Sequence, residues 1–435
     1  MLTEKIKNKI NDLFLSSPKI NAVFYGFKTV NNKSTNNLSF VFVIEKKLSI
    51  NEIPDNEILP SSVEIDGITY ITDVIEGGNI TYFSDEEIDN NFQNALPCSD
   101  CRDTIPPSNN NYHRPLLGGI SIKSEHNNIN CTLGFLALDR TTNALVGISL
   151  TPALVRDCFY TEFRQFTLID NESNNNIYQS ASNPAKIGEI LRYRPFYINS
   201  GTSFKNYSLA TMFSVNESDI SLTDSWKQYN LTGITEPMQF ATTDDIDNLL
   251  YTKPEMWISS PNGGSQQGLC SLKIAGMGDT FYNGLLVQNV LVNVLKINDI
   301  ILLKSVNDGC PVNFVFYGYG AAVIANISNQ NQPETFTPKI IGITVGAQSS
   351  NGFLGVSRID RIAADLDIIE WTGQTPNYVN LSTKKFVTLP TKNKYPNIVC
   401  SGETYWQIGL TQDDYNCGNF ITATANTVYS KIKIF

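Results

Sequence analysis

LVGISLTPALVRD, residues 145–157, reads as a short apolar strand that turns into a helix, with Pro152 at the turn. Val146, Ile148 and their apolar neighbours form the strand, and the proline marks its end. Proline carries no titratable nitrogen, so a turn that presents residue 152 presents nothing able to accept a proton. The surrounding pattern is of the same kind. From residue 115 to about 370, short β-branched and aromatic runs are punctuated by Gly, Asn and Ser, which predicts a barrel or a sandwich. Only IDRIAADLDIIEW, 359–371, reads clearly as a helix in that span.

The flanks differ from this centre. Residues 2–15 alternate charged and apolar positions at helical spacing, and NAVFYGFKTV and LSFVFVIEKKL follow as strand-like runs separated by the turn-rich NNKSTNN. Prolines, a turn at Asp66-Gly67 and a further β run complete a small α+β domain over residues 1–95. Residues 96–113, with Cys98, Cys101, Pro106 and Pro107, read as a linker to the main β domain, 114–372. The runs KFVTLP, TYWQIGL, NFITATA and VYSKIKIF predict a small C-terminal β domain over 373–435.

A chain of 435 residues exceeds the usual single domain, and its 41% hydrophobic residues supply ample core. Its 32 basic and 42 acidic residues give a net charge of -10, and no Lys/Arg run stands out. Nucleic acid is therefore not an expected direct partner. The N-terminus never makes the uninterrupted apolar run of a signal peptide, and no window reaches the length of a membrane span, so no membrane partner is expected. Among the eight cysteines only Cys98 and Cys101 stand close together. A structural zinc needs a second pair or nearby histidines, so unpaired thiols are preferred to a metal site. PNGGSQQG, 261–268, lacks the Gly-Lys-Ser/Thr of a phosphate loop and reads as an ordinary turn. Several N-x-S/T triplets occur, as chance predicts among 48 asparagines. No cofactor is expected.

The order of these runs resembles the bacterial and phage trypsin-like proteins that carry a small α+β domain before a chymotrypsin-type double barrel. The resemblance rests on VFYGFK (23–28), FVFVIEKKL (40–48) and TDVIEGG (72–78) in the first part. It continues through RPLLGGISI (114–122), CTLGFLALDRTTNALVGIS (131–149), AKIGEIL (185–191) and SLATMFSV (208–215). KIAGMGDTFYNGLLV (273–287), IIGITVG (340–346) and VSRIDRIAADLDI (356–368) complete it, in the family's order over roughly 350 residues. It implies a mainly β, chymotrypsin-like double β-barrel with a small N-terminal α+β domain and a small C-terminal β domain.

The same resemblance assigns three catalytic positions. The family's Leu-Ser-Asn-Asn-His-Val-Leu falls on Ile148 to Leu154 and puts Pro152 where the general base belongs. Its Gly-Asp-Ser-Gly-Ser-Pro-Val falls on Val306 to Val312 and puts Asp308 where the nucleophilic serine belongs. A carboxylate there cannot form the usual acyl-enzyme and opposes the charge of the transition state. DDIDNLLY resembles the family's Val-Asp-Ala-Ala-Leu and puts Asp247 at the acidic position, left with no imidazole to orient. Neither histidine, His113 or His126, lies in a motif, and each reads as a solvated or hydrogen-bonded imidazole. Cys310 falls one residue beyond the glycine and reads as a buried thiol rather than a nucleophile.

A barrel pair without base or nucleophile remains a rigid scaffold for protein contacts. The aromatic-rich insertion 156–184 follows the Pro152 turn and serves either an interface or packing over a barrel end. The terminal VYSKIKIF is able to add to a neighbouring sheet. The family is common in tailed phages, and the Asn-rich, Lys-biased composition is that of an AT-rich genome. The expected function is therefore that of a non-enzymatic structural protein of a phage virion, an auxiliary or connector component made in the host cytoplasm. Its expected partners are other virion proteins or further copies of itself. The alternatives are a cellular pseudoprotease that binds a peptide or partner in the old cleft, and an active peptidase.

Overall fold

The computed structural model describes residues 2–81 and 112–379, less internal stretches of which the longest are 161–175, 198–205, 260–271 and 307–318. Cys98, Cys101, His126, the 261–268 turn, Asp308, Cys310, most of the 156–184 insertion and all but the start of the 373–435 unit lie outside the described residues. What is described is mainly β.

Helix α1 (Glu4–Ser16) forms where the sequence predicts one. Leu2, Ile6, Ile10, Leu13 and Phe14 are buried along one face at spacings of three and four, which is the stripe a surface helix needs to dock. They pack onto β1 (Ile20–Val30), which pairs antiparallel with β2 (Lys33–Ile44). Strands β3 (Ser62–Ile65) and β4 (Ile68–Glu76) form the hairpin expected at Asp66-Gly67. Both turn residues take positive φ, 53° and 75°, the pairing whose twist suits a two-residue hairpin. Strand β4 then lies parallel to β2.

Seven strands build a first sheet beyond residue 120. They are β5 (Ser121–Ser124), β6 (Asn130–Thr132), β7 (Phe135–Asp139), β8 (Leu145–Leu150), β9 (Asn176–Gln179), β10 (Ala185–Tyr193) and β11 (Ala210–Ser214). Their order is β7-β8-β11-β10-β9-β5, with β6 folded back on β5. Strands β7, β8 and β11 are buried throughout, as strands covered on both faces must be, and their sequences are correspondingly apolar. One-turn helix α2 (Thr151–Leu154) follows β8 directly.

The second sheet repeats this winding. Strands β12 (Met256–Ile258), β13 (Leu272–Asn283), β14 (Leu295–Ser305), β15 (Ala322–Asn329), β16 (Gln332–Ala347) and β17 (Leu354–Arg358) run β12-β15-β16-β17-β14-β13. Met256 lies opposite both Ala325 and Leu272, so β12 joins the two ends and the six strands make a ring. If the six strands of each half are lettered A to F in chain order, setting β6 aside, both halves read B-C-F-E-D-A. Every pairing in that path is antiparallel, so each half is a six-stranded Greek-key winding.

Strand β1 pairs with β13 from Ala22↔Thr280 to Gly26↔Gly276, so the N-terminal strands continue the second sheet without a break. Phe24, Phe40, Phe42, Phe135 and Phe213 are fully buried across this structure, each removing apolar surface that is worth roughly 1.5–3 kcal/mol.

The helix expected over 359–371 is shorter than its pattern suggests. Helix α5 (Ile359–Leu366) stops where Asp367 takes the left-handed conformation, φ 54°, and Ile368–Glu370 continues as β18 on the edge of β7. Two adjacent isoleucines and an open strand edge favour the sheet over a further helical turn. The chain thus returns from the second half to the first. Its arrival is fixed by buried Arg192 of β10, which donates to the Leu366 carbonyl and to Asp139 Oδ2 at 3.0 Å. A second joint lies at the next approach of the two halves, where Thr132 N–H donates to the Tyr319 carbonyl at 2.7 Å.

Candidate functional site

Pro152 stands in the first turn of α2, where a missing N–H leaves no helical bond unmade and its fixed φ suits the helix. All four residues of the turn are buried. Val155 N–H closes it onto the Thr151 carbonyl at 2.8 Å, while Thr151 N–H reaches the Leu209 carbonyl at 2.7 Å. Thr211 Oγ1 donates to Thr151 Oγ1 at 2.9 Å, which ties the turn to strand β11. The strand-to-helix turn read from 145–157 is therefore present, and the side chain it places at 152 is a saturated ring unable to take up a proton.

Topology relates this turn to the position mapped for the nucleophile. Helix α2 follows strand C of the first half, and residue 308 lies between strands C and D of the second, β14 and β15. The two positions occupy the same connection of the repeated winding, although Asp308 itself is not among the described residues.

Asp247 has a different setting. It ends helix α3 (Thr243–Asp247), which starts with a capping box in which Asp245 N–H donates to Thr242 Oγ1 at 3.1 Å and Thr242 N–H to Asp245 Oδ2 at 2.9 Å. The buried Asp247 carboxylate faces Lys7 Nζ of α1 at 2.7 Å and Arg358 Nη1 at 3.0 Å. Leu2 N–H also donates to its carbonyl at 2.9 Å. Burial pushes this carboxyl up, and the two cations pull against that rise.

Arg358, fully buried, is the hub of a wider cluster. Besides Asp247 it engages Asp299 Oδ1 at 2.8 Å and both oxygens of Asp360, at 3.0 and 2.8 Å. Arg361, one helical turn on, takes Asp299 Oδ2 through Nε and Nη2 at 3.1 and 2.6 Å. Asp299 is delivered by an irregularity in the β13–β14 ladder between Gly278 and Thr280. Its backbone is left-handed, φ 56°, and its N–H donates to Asp279 Oδ1 at 3.0 Å while Asn298 Nδ2 holds the other oxygen at 2.8 Å. A bulge of this kind re-aims a side chain out of the strand alternation.

Three cations, Lys7, Arg358 and Arg361, thus face three carboxylates, Asp247, Asp299 and Asp360. The cluster fastens α1, α3, β14 and α5 to one another. Burial opposes ionisation of Asp299, but Arg358 and Arg361 outweigh it and hold the carboxyl below the usual range. The same contest, won by Arg358, holds Asp360 down to about 2. Beside the cluster a cavity of about 20 Å³, lined in part by Lys7, Asp279, Asp299 and Arg361, has room for one water and not for a substrate. These carboxylates are paired with guanidinium and ammonium groups inside the fold.

Asp299 and Asp360 have folded values below their unfolded value of about 3.9, so their stabilisation is complete above it and is lost as pH falls through the folded values, about 2 for Asp360. Asp247, shifted up, acts in the opposite sense and gains nothing from rising pH. The urea midpoint of the wild type should fall from about pH 5 to about pH 2, and Asp360→Asn should flatten that slope. Identical slopes would show that Asp360 contributes nothing to the acid sensitivity.

Three further candidate nucleophiles or bases among the described residues, Cys131, Ser149 and His113, have defined neighbours. Cys131 is buried, its thiol pushed up to about 12 by burial, with Ser149 Oγ 3.6 Å away. Ser149 itself donates to the Thr132 carbonyl at 2.6 Å. The His113 ring lies tilted against Tyr229 with centroids 4.9 Å apart, its backbone N–H donates to Gln179 Oε1, and burial pushes its imidazole down. Among the described residues no group of three or more His, Cys, Asp and Glu is placed to hold a metal.

The repeated strand order and the ion cluster escaped the sequence reading. The cluster had two signals, the Arg358 and Arg361 pair at i, i+3 and the polar Asn298-Asp299 inside the apolar run of β14. In comparisons with known proteins no family model and no curated sequence matches this chain, so its reading stands on its residues and their geometry.

Proposed function

We propose that this chain is a non-enzymatic structural protein on a degenerate trypsin-like double barrel, acting through protein contacts as an auxiliary or connector component of a tailed-phage particle. The observation that carries the proposal is Pro152. It sits in the C–D connection of the first half, at the turn where the resemblance calls for the general base. The doubled B-C-F-E-D-A winding supports a chymotrypsin-like architecture for the two halves, and the equivalence of residues 152 and 308 in that winding supports their assignment. Asp247 supports the same reading, because Lys7 and Arg358 occupy the carboxylate that would orient an imidazole.

A scaffold of this type works by presenting rigid surfaces, and the particle setting comes from the sequence resemblance. The test is a mass-spectrometric inventory of purified particles produced from the genome that encodes the chain. The protein should be present at a fixed stoichiometry to the other particle proteins. Its absence from particles would end the virion reading and favour a cellular partner.

A further inference from the structure

Strand β3 is the end strand of the sheet that runs from the second half through β13, β1, β2 and β4. Its hairpin with β4 closes over two turn residues, so Ile65↔Ile68 and Val63↔Tyr70 are the hydrogen-bonded pairs. The backbone N–H and C=O groups of Ser62 and Glu64 therefore point outward, and among the described residues no strand pairs with them. The two faces beside this edge differ. On one, Val63 is buried and Ile65 half-buried, and they continue an apolar layer of Tyr70, Phe40 and Tyr25, with Tyr251 of helix α4 (Leu249–Thr252) at the Tyr25 hydroxyl. On the other, Ser62 and Glu64 are exposed.

The charge around this edge is of one sign. From Leu48 to Glu76 the chain carries seven carboxylates and no lysine or arginine. Lys5 of α1 meets Asp66 at the turn, whereas the Glu64 carboxylate has no partner among the described residues. Two copies of β3 laid edge to edge would set glutamates among like charges, which opposes that pairing. A strand that fits this edge alternates apolar residues with basic ones. Residues 428–435, VYSKIKIF, lie outside the described residues and have that alternation in sequence. Val428, Ile432 and Ile434 fall on one side of a strand and Lys431 and Lys433 on the other, with no acid among the eight.

We propose that β3 accepts residues 428–435 of a second copy as an added strand, with Ile432 and Ile434 on the side of Val63 and Ile65, and Lys431 and Lys433 on the side of Glu64. Main-chain bonds to Ser62 and Glu64 make the attachment, and the matched alternation decides which face of the incoming strand is turned to which side. The contact joins different patches of the two copies, so it closes as an exchanged dimer or continues as a chain of copies. That the donor is a second copy rests on the contact-scaffold reading, whereas the test uses purified protein and needs no particle.

The experiment measures the mass of the purified full chain by light scattering over a range of concentrations and at two salt concentrations. The wild type should self-associate, and less strongly at high salt. Glu64→Lys should weaken association about tenfold, and so should the double variant Lys431→Glu, Lys433→Glu, because each turns an attraction across the edge into a repulsion. An equimolar mixture of the two variants should associate again, since the lysine edge of one meets the glutamate strand of the other. Glu236→Lys, an exposed acid elsewhere, should leave association as it is. A wild type that stays monomeric, association that neither reversal weakens, or a mixture no better than its components would overturn the proposal, while leaving the particle inventory untouched. So would a monomeric wild type whose melting temperature falls in both reversals, which would put residues 428–435 on the edge of their own chain.

Discussion

Arg358→Met should destabilise the protein by about 3–5 kcal/mol or more, the range found when one partner of a buried ion pair is removed. The arginine is fully buried and faces Asp247, Asp299 and Asp360. Methionine matches much of its volume but leaves three buried carboxylates with only Lys7 and Arg361 to balance them. Total stabilities are about 5–15 kcal/mol, so the loss should remove most of the urea resistance of the fold. Lys5→Met provides the comparison, since Lys5 pairs with Asp66 at the surface with both side chains more than half exposed. Such pairs are worth about 0–1 kcal/mol, and their loss should barely move the midpoint. Equal effects of the two substitutions would mean that the cluster is no more than a surface network.

Gly320→Ala should cost about 2–5 kcal/mol, adding positive-φ strain to overpacking. Gly320 has φ 81°, and a Cβ there would lie 2.5 Å from Ser149 Oγ, 2.8 Å from Leu150 N and 3.0 Å from the Thr132 carbonyl oxygen. Two of those atoms are backbone of the first half, so relief requires the halves to move apart at the joint beside α2. Gly67→Ala separates the two causes, because its φ of 75° imposes the strain but nothing lies within 4 Å of the added carbon. Its cost should be about 1–2 kcal/mol by urea denaturation. A Gly320→Ala protein no less stable than Gly67→Ala would show that the joint yields easily.

Local structure was legible in this sequence wherever one period ruled a segment. The 145–157 stretch announced both its strand and its turn, because six uncharged residues followed by Thr-Pro allow little else. Helix α1 was legible from its apolar spacing, and the β3–β4 hairpin from Asp-Gly. Helix α5 misled at its end, since Ile368 and Ile369 continue a helical apolar pattern although a strand edge on β7 claims them. The winding order was not legible at all, because it depends on which distant strands meet, and β-rich runs of similar composition carry no label for their partners. For the site, residue types were legible and partners were not. Asp247 was identified as an acid, but its pairing with Lys7, 240 positions away in the chain, is a product of the fold.

The proposed scaffold role requires that position 152 ends hydrolysis. Its most direct test is to treat the purified full chain with a fluorophosphonate probe beside trypsin and to locate any adduct by peptide mass spectrometry. With Pro152 in place of a base, no serine should be labelled while trypsin reacts to completion. Stoichiometric labelling at any single serine would show an activated nucleophile and overturn the scaffold proposal.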